Sequence, residues 1–244
     1  NCMLNESFYT YGRYHNPENG FFIGYSAIEN SFADCMPIFN ETKDIILFLT
    51  GECYHDQPEI DALLKHGHNF NPENASYLVH QYEDLGEELF NNLNGWFNGI
   101  ILDLRKRTIT LFNDRYGIRR IYFYENDHVF AFASEAKSLL KSFPELREIS
   151  LQSVGEFLTY DCVLENRTYF PKIKLLPPCS TWIFQQGHIS KKKYLDMSTL
   201  ENQPKMQHDQ FYKELATTFK RILPRYFTGG PVGIGLTGGL DTRS

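Results

Sequence analysis

Nowhere in this sequence does an apolar run approach the roughly 18 residues needed to span a membrane as a helix, so no membrane partner is expected. The five cysteines, at positions 2, 35, 53, 162 and 179, form no C-x-x-C pair and have no histidine at zinc-ligand spacing. They read as free thiols of a reducing compartment. Basic charge is also short: 24 Lys and Arg against 30 Asp and Glu leave a net charge of −6. No electrostatic footprint for nucleic acid follows from that balance. The triplets Asn40-Glu41-Thr42 and Asn166-Arg167-Thr168 fit a glycosylation pattern, but an asparagine-rich chain without a signal peptide makes them by chance. The expected location is the cytoplasm.

What the 244 residues do hold is a large aromatic content, 15%, mostly Phe and Tyr. Asp44–Thr50 is a continuous apolar run of the kind buried on both faces of a sheet. A helix is expected over Gln57–His66, with Pro58 in its first turn and Gly67 past its end. Two more helices are expected over Glu73–Gly86 and Glu87–Asn94. Hairpins follow: Gly99–Leu104 with Thr108–Asn113, and Ile121–Glu125 with Val129–Ala133. Short helices over Ser134–Ser142 and Leu151–Thr159 precede a strand pair expected across Tyr169–Phe184. The lysines Lys191–Lys193 read as a solvated strand start. Hairpins interleaved with helix pairs argue an α+β fold for residues 1–195.

Residues 196–210 read as a linker, and Phe211–Tyr226 as a helix with Phe211, Leu215, Phe219 and Ile222 on one side. The apolar strand Pro231–Leu236 then runs into Leu236-Thr237-Gly238-Gly239-Leu240-Asp241-Thr242. A strand ending in Gly-Gly turns backbone N–H groups toward one point, which suits a phosphate. Thr237 and Thr242 add hydroxyl donors, and Asp241 is a candidate Mg2+ ligand. The stretch lacks G-x-x-x-x-G-K-[ST] and is not a kinase-type loop. Residues 211–244 are expected to open an α/β domain, and both ends of the chain read as cut from a longer protein.

The loop is similar to the S-G-G-x-D-S loop of ATP pyrophosphatases, with Thr at both hydroxyl positions. Over residues 20–244 the chain resembles class B asparagine synthetases. Asp114-Arg115-Tyr116-Gly117-Ile118-Arg119-Arg120-Ile121-Tyr122-Phe123 is similar to R-D-x-x-G-I-x-P-L-Y-Y, with Asn113 and Arg120 as departures. Ala133-Ser134-Glu135-Ala136-Lys137-Ser138-Leu139, Leu93-Asn94-Gly95-Trp96-Phe97, Leu175-Leu176-Pro177-Pro178 and Gly51-Glu52-Cys53-Tyr54 match further family motifs. The resemblance implies a glutamine amidotransferase type 2 domain with the four-layer αββα sandwich of N-terminal-nucleophile hydrolases. The truncated start of an α/β ATP-pyrophosphatase domain would follow it.

In that family a chain-terminal cysteine attacks glutamine while its own α-amine moves the proton. Cys2 follows Asn1 here and sits where the family has its first helix, so an incidental thiol is expected. The resemblance sets Tyr25 where an arginine binds the substrate carboxylate and Thr50 where an asparagine serves the oxyanion. Asn74 stands where an aspartate binds the ammonium, while Gly51 keeps its backbone N–H. A degenerate glutaminase is therefore expected, within a parent ATP-dependent carbon–nitrogen ligase that uses ATP and Mg2+. Its partners would be a small-molecule carboxylate and an amine or ammonia, as in the related β-lactam synthetases and lasso-peptide cyclases; a homodimer stays open. The fragment alone is expected to be inactive. Two alternatives stand beside this reading: a glutamine-hydrolysing asparagine synthetase trimmed at its N-terminus, and a non-catalytic scaffold or dimerisation module. Asp114, Arg115 and Glu135 are expected to form an ion-pair network between the hairpins, and Trp96 and Trp182 to be packing residues.

Overall fold

The strand expected at Asp44–Thr50 is the centre of the molecule, and its neighbours follow from the need to cover both of its faces. The structure is a computed structural model and describes residues 7–196 and 198–227 together with Gly233, Gly235 and Gly239. A hairpin opens it, β1 (Tyr9–Asn16) with β2 (Phe21–Ile28). The two-residue strand β3 (Ile38–Phe39) leads into β4 (Ile45–Tyr54). Then come α1 (Gln57–Lys65), α2 (Tyr77–Leu85), α3 (Leu89–Asn92), β5 (Asn94–Asp103) and β6 (Thr108–Asn113). After these lie β7 (Tyr122–Glu125), β8 (Phe130–Ala133), α4 (Ala136–Ser142), α5 (Leu151–Tyr160) and β9 (Lys174–Leu175). The last elements are β10 (Ser180–Gln185), β11 (His188–Lys193), α6 (Ser198–Glu201) and α7 (His208–Ile222).

A six-stranded antiparallel sheet runs in the order β11-β10-β6-β5-β4-β3, and a three-stranded sheet in the order β8-β7-β9. Because side chains alternate along a strand, β4 sends Ile45, Leu47 and Leu49 to one side and Ile46 and Phe48 to the other. The first set packs with Leu63 of α1, Leu78 and Tyr82 of α2 and Phe90 of α3. The second packs against Phe123 of β7, Phe130 and Phe132 of β8, and Tyr14, Ile23 and Tyr25 of the hairpin. Behind the small sheet, Tyr122, Tyr124 and Ala131 meet Leu139 and Leu140 of α4. Helices, sheet, sheet, helix: the layers are α, β, β, α. At ~1.5–3 kcal/mol for each fully buried large aliphatic or aromatic side chain, these two inner interfaces dominate the favourable side of folding.

Local signals account for the edges of the elements. Asp56 and Glu59 form a capping box at the start of α1, with Pro58 in the first turn. Asn126 receives the backbone N–H groups of His128 and Val129 and closes the β7–β8 turn. Lysines at the end of β11, the outermost strand, lie exposed, with Lys191 paired to Glu125 at 2.6 Å. Trp182 is buried against Phe123 and Phe130, whereas Trp96 is partly exposed and meets Tyr54 edge-on. Among the described residues no helix is long and apolar enough to cross a membrane.

Four expectations change. The helix expected from Glu73 begins at Tyr77, because Asn71 and Asn74 use their side-chain oxygens to accept the backbone N–H groups of Glu73 and Ser76 in local turns. Glu87–Asn94 is a 3-10 turn followed by the four-residue α3. The strands within Tyr169–Phe184 do not pair with each other: β9 joins β7 in the small sheet and β10 joins β6 in the large one. Pro177-Pro178 between them offers no N–H donor to a ladder, and the chain uses that stretch to cross between layers. The expected linker 196–210 contains α6.

At the far end of β4, Gly51 has φ +106°, and a Cβ there would stand 2.0 Å from the Trp96 carbonyl oxygen. Only glycine fits. Gly51→Ala is expected to lose about 1–3 kcal/mol from backbone strain alone, read as a lower urea midpoint with an unchanged slope.

Candidate functional site

Phe97–Leu102 of β5 would be an apolar strand except for Asn98 and Gly99, and that interruption marks the site. Asn98 sits opposite Thr50 on β4 and opposite Asn113 on β6. It is buried, and its Nδ2 donates to the carbonyls of Arg119 and Arg120 at 3.3 and 3.4 Å. Two cavities meet here. The inner one, about 280 Å³, lies between the β1–β2 hairpin and the six-stranded sheet; Tyr25, Phe48, Thr50, Asn98, Ile121 and Phe132 are among its walls. The outer one, about 520 Å³, is bounded by Ile118, Arg119, Arg120, Tyr122 and the start of α4, including Glu135 and Lys137. Thr50, Asn98 and Ser134 belong to both.

The loop that closes the outer cavity is shaped by a buried carboxylate. Asp114 is fully buried and accepts the backbone N–H groups of Tyr116, Ile118 and Arg119 at 3.0–3.1 Å. Its neighbour Asn113 takes hold of a second loop, accepting from Ser180 N at 2.8 Å and donating to the Pro177 carbonyl at 2.9 Å. These contacts replace the expected ion-pair network. Arg115 donates instead to the Asn91 carbonyl, and Glu135 pairs with Lys137 at 2.5 Å. A carboxylate encircled by three N–H groups is already satisfied, which leaves Arg115 and Glu135 to local partners.

The candidate substrate-pocket residues fall in two places. Tyr25 and Thr50 both line the inner cavity, with Gly51 next along β4. The Tyr25 ring packs on Phe48 at 5.4 Å between centroids and lies over Gly12, where a Cβ would stand 2.2 Å from its hydroxyl. Asn74 lies elsewhere, at the start of α2, beside Ala75 of the helix-side core, with its side chain spent on Ser76. Arg13 lines the inner cavity while remaining exposed on β1. Cys2, Leu236, Thr237, Gly238, Asp241 and Thr242 lie outside the described residues; of that terminal loop Gly239 alone is described.

No described cysteine lines either cavity. Cys53 projects into the opposite, helix-side core, where burial and then the nearby Asp114 and Glu52 push its thiol far up. Burial also raises Cys35 and Cys179. A nucleophilic thiol needs its pKa lowered, so these three are packing residues. The inner cavity lining holds hydroxyls and an amide but no His, Asp or Glu to act as a base. It suits a small group with an apolar body and polar contacts at one end, where Arg13 adds a cation. Sequence reading missed Asn98 and Arg13; the polar residue inside an apolar strand was the available signal for Asn98.

Residues 26–195 match a family described as a glutamine amidotransferase domain. The chain is 25% identical over 235 residues to asparagine synthetase [glutamine-hydrolyzing] 1 of Bacillus subtilis, covering 95% of this chain and 37% of that protein. It is 36% identical over 104 residues to asparagine synthetase [glutamine-hydrolyzing] 2 of the same organism, covering 42% of this chain and 14% of that one. A solved glutamine phosphoribosylpyrophosphate amidotransferase from B. subtilis, complexed with ADP and GMP, superposes with a TM-score of 0.48 at 13% identity, over 71% of this chain and 35% of that one. The chain thus spans well under half the length of these relatives.

Two outcomes follow from the geometry. Asp114→Ala strands three backbone N–H groups; at about 1–3 kcal/mol for each unsatisfied buried donor, a loss of at least ~3 kcal/mol in urea unfolding is expected. Tyr116→Ala, at an exposed side chain, stays within ~0.5 kcal/mol. With iodoacetamide at pH 8 the exposed Cys162 is expected to react in the native protein, and Cys53 and Cys179 only after denaturant is added; mass spectrometry of the peptides reads the order.

Proposed function

This chain belongs to the glutamine amidotransferase domain family, on its asparagine-synthetase-like branch, and from that premise we propose that it is the glutaminase-fold part of an ATP-dependent amide-forming ligase in which glutamine hydrolysis has been lost. The observation that carries the reading is the inner cavity. Free glutamine needs a cation for its carboxylate, an anion for its ammonium and oxyanion donors for its carboxamide. Tyr25 stands where the resemblance sets the arginine, with its ring packed on Phe48; the lining keeps Arg13 as its one charged side chain and offers no carboxylate, and Cys35 and Cys53 pack on the helix side of the sheet. Each lost charge-assisted contact removes about 1.5–3 kcal/mol, so several together leave no useful affinity.

The domain plan supports the same reading. Residues 1–195 would be the amidotransferase domain of N-terminal-nucleophile type, 196–210 the linker, and 211–244 the start of the adenylating domain. In α7, Phe211, Leu215 and Phe219 are each about half exposed, an apolar stripe with no described partner of matching size. The end of that segment is tied to the first domain through Arg225 and Asp56, with Tyr226 on Tyr54 at 4.6 Å. Leu236, Thr237, Gly238, Gly239 and Thr242 would hold the pyrophosphate of ATP and Asp241 its Mg2+. When bound, ATP supplies the adenylate leaving group that activates a carboxylate. This chain's residues would position the phosphates by N–H and hydroxyl contacts, and a small-molecule amine or ammonia would complete the amide.

A second reading, a glutamine-hydrolysing synthetase, draws on the 25% identity that runs over 95% of the chain. One experiment separates the two. The full-length protein is incubated with glutamine, ATP, Mg2+ and candidate carboxylates, and glutamate and pyrophosphate are measured. Pyrophosphate release with ammonia or an amine, abolished by Asp241→Ala and without glutamate above background, is expected. Robust glutamate release overturns the proposal in favour of the second reading.

A further inference from the structure

On the helix side of the large sheet, four side chains from three segments converge. Glu41 comes from the β3–β4 turn, His68 from the loop after α1, and His80 and Glu83 from one face of α2, where i and i+3 are neighbours. One ligand-type atom from each of the four lies within 4.8 Å of all the others. We propose that Glu41, His68, His80 and Glu83 form a divalent-metal site of zinc type, with Asp84 as its supporting carboxylate.

Three observations carry it. The Glu41 carboxylate spans both rings: Oε1 is 3.4 Å from His68 Nδ1 and Oε2 is 3.2 Å from His80 Nδ1. Ligands at ~2.1 Å around a tetrahedral ion stand about 3.4 Å apart, so both separations match an edge of that polyhedron. His80 is 2% exposed, and its Nδ1 makes no hydrogen bond despite the nearby carboxylate. Glu83 Oε2 is likewise buried without a hydrogen-bond partner, while Oε1 is held by Asn40 at 3.1 Å. Orphaned buried polar atoms are rare in folded proteins, and here two belong to one cluster.

The surroundings are those of a coordinated histidine. His68 Nε2 meets Asp84 Oδ1 at 3.3 Å while its Nδ1 faces Glu41, so an ion bound at Nδ1 would replace the proton on that side and Asp84 would orient the ring. Asp84 is itself fixed, 2.7 Å from His66 Nδ1. Glu41, whose Oε1 accepts from Asn69 N at 3.1 Å, has a side chain 45% exposed and gives the ion a path from solvent. An ion here would pin the β3–β4 turn and the loop after α1 to α2.

The test uses the untagged full chain, freed of metal and titrated with Zn2+ alone by calorimetry, with Co2+ as the spectroscopic probe. One Zn2+ per chain, a raised thermal midpoint and a tetrahedral Co2+ spectrum without thiolate charge transfer are expected. Glu41→Gln and His68→Gln, at positions outside the fully buried core, are expected to abolish the uptake with the far-UV circular dichroism retained. Asp84→Asn is expected to weaken it roughly 10–100-fold. Absence of stoichiometric Zn2+ uptake by the wild-type chain, or uptake unchanged in Glu41→Gln and His68→Gln, overturns the proposal.

Discussion

A strand buried on both faces must be covered twice, and β4 imposes that requirement on everything around it. Ile45 through Leu49 are each no more than 3% exposed, so one row of side chains needs helices and the alternate row needs a second sheet. The order of layers follows from this need together with the hairpin and helix lengths. The same strand also sets where polar chemistry can sit. Its run of apolar residues leaves only the ends, and Thr50 at one end opens on the cavity while the turn before Ile45 brings Glu41 to the histidines. Both sites are consequences of where the apolar run stops.

Much of this was legible in the amino-acid order. The double-faced strand, the helix with Pro58 in its first turn and the two hairpins each combine a periodicity with a turn or cap residue, and each appears within a residue or a few of its expected place. Readings failed where the deciding interaction was not local. Nothing between Tyr169 and Phe184 says that β9 and β10 serve different sheets, because their partners lie over fifty residues upstream. The histidine cluster was invisible for the same reason: no spacing joins Glu41, His68 and His80, and only the packing of a turn, a loop and a helix does so. Asn98 was different, since an amide within an apolar strand was readable and was passed over.

Asn113 and Asp114 show how the matched segment is held in place by the fold itself. Asp114 draws three N–H groups into a tight loop, and Asn113 clamps the crossover between the sheets through Pro177 and Ser180. Neither contact needs a substrate. Residues whose role is to shape a loop are held by the fold itself. Asn113, a departure from the family motif in the sequence, is in the structure a fully occupied hydrogen-bonding centre.

The lysines of β11 have a bearing on how two copies of this chain can meet. An outermost strand presents unpaired N–H and C=O groups on which another strand can add. Two β11 strands meeting antiparallel would bring lysine rows together across the seam, and like charges facing each other across strands repel. The opposite edge offers the two residues of β3, too short a template to hold a ladder. The large sheet is thus guarded at both borders, by charge on one side and brevity on the other.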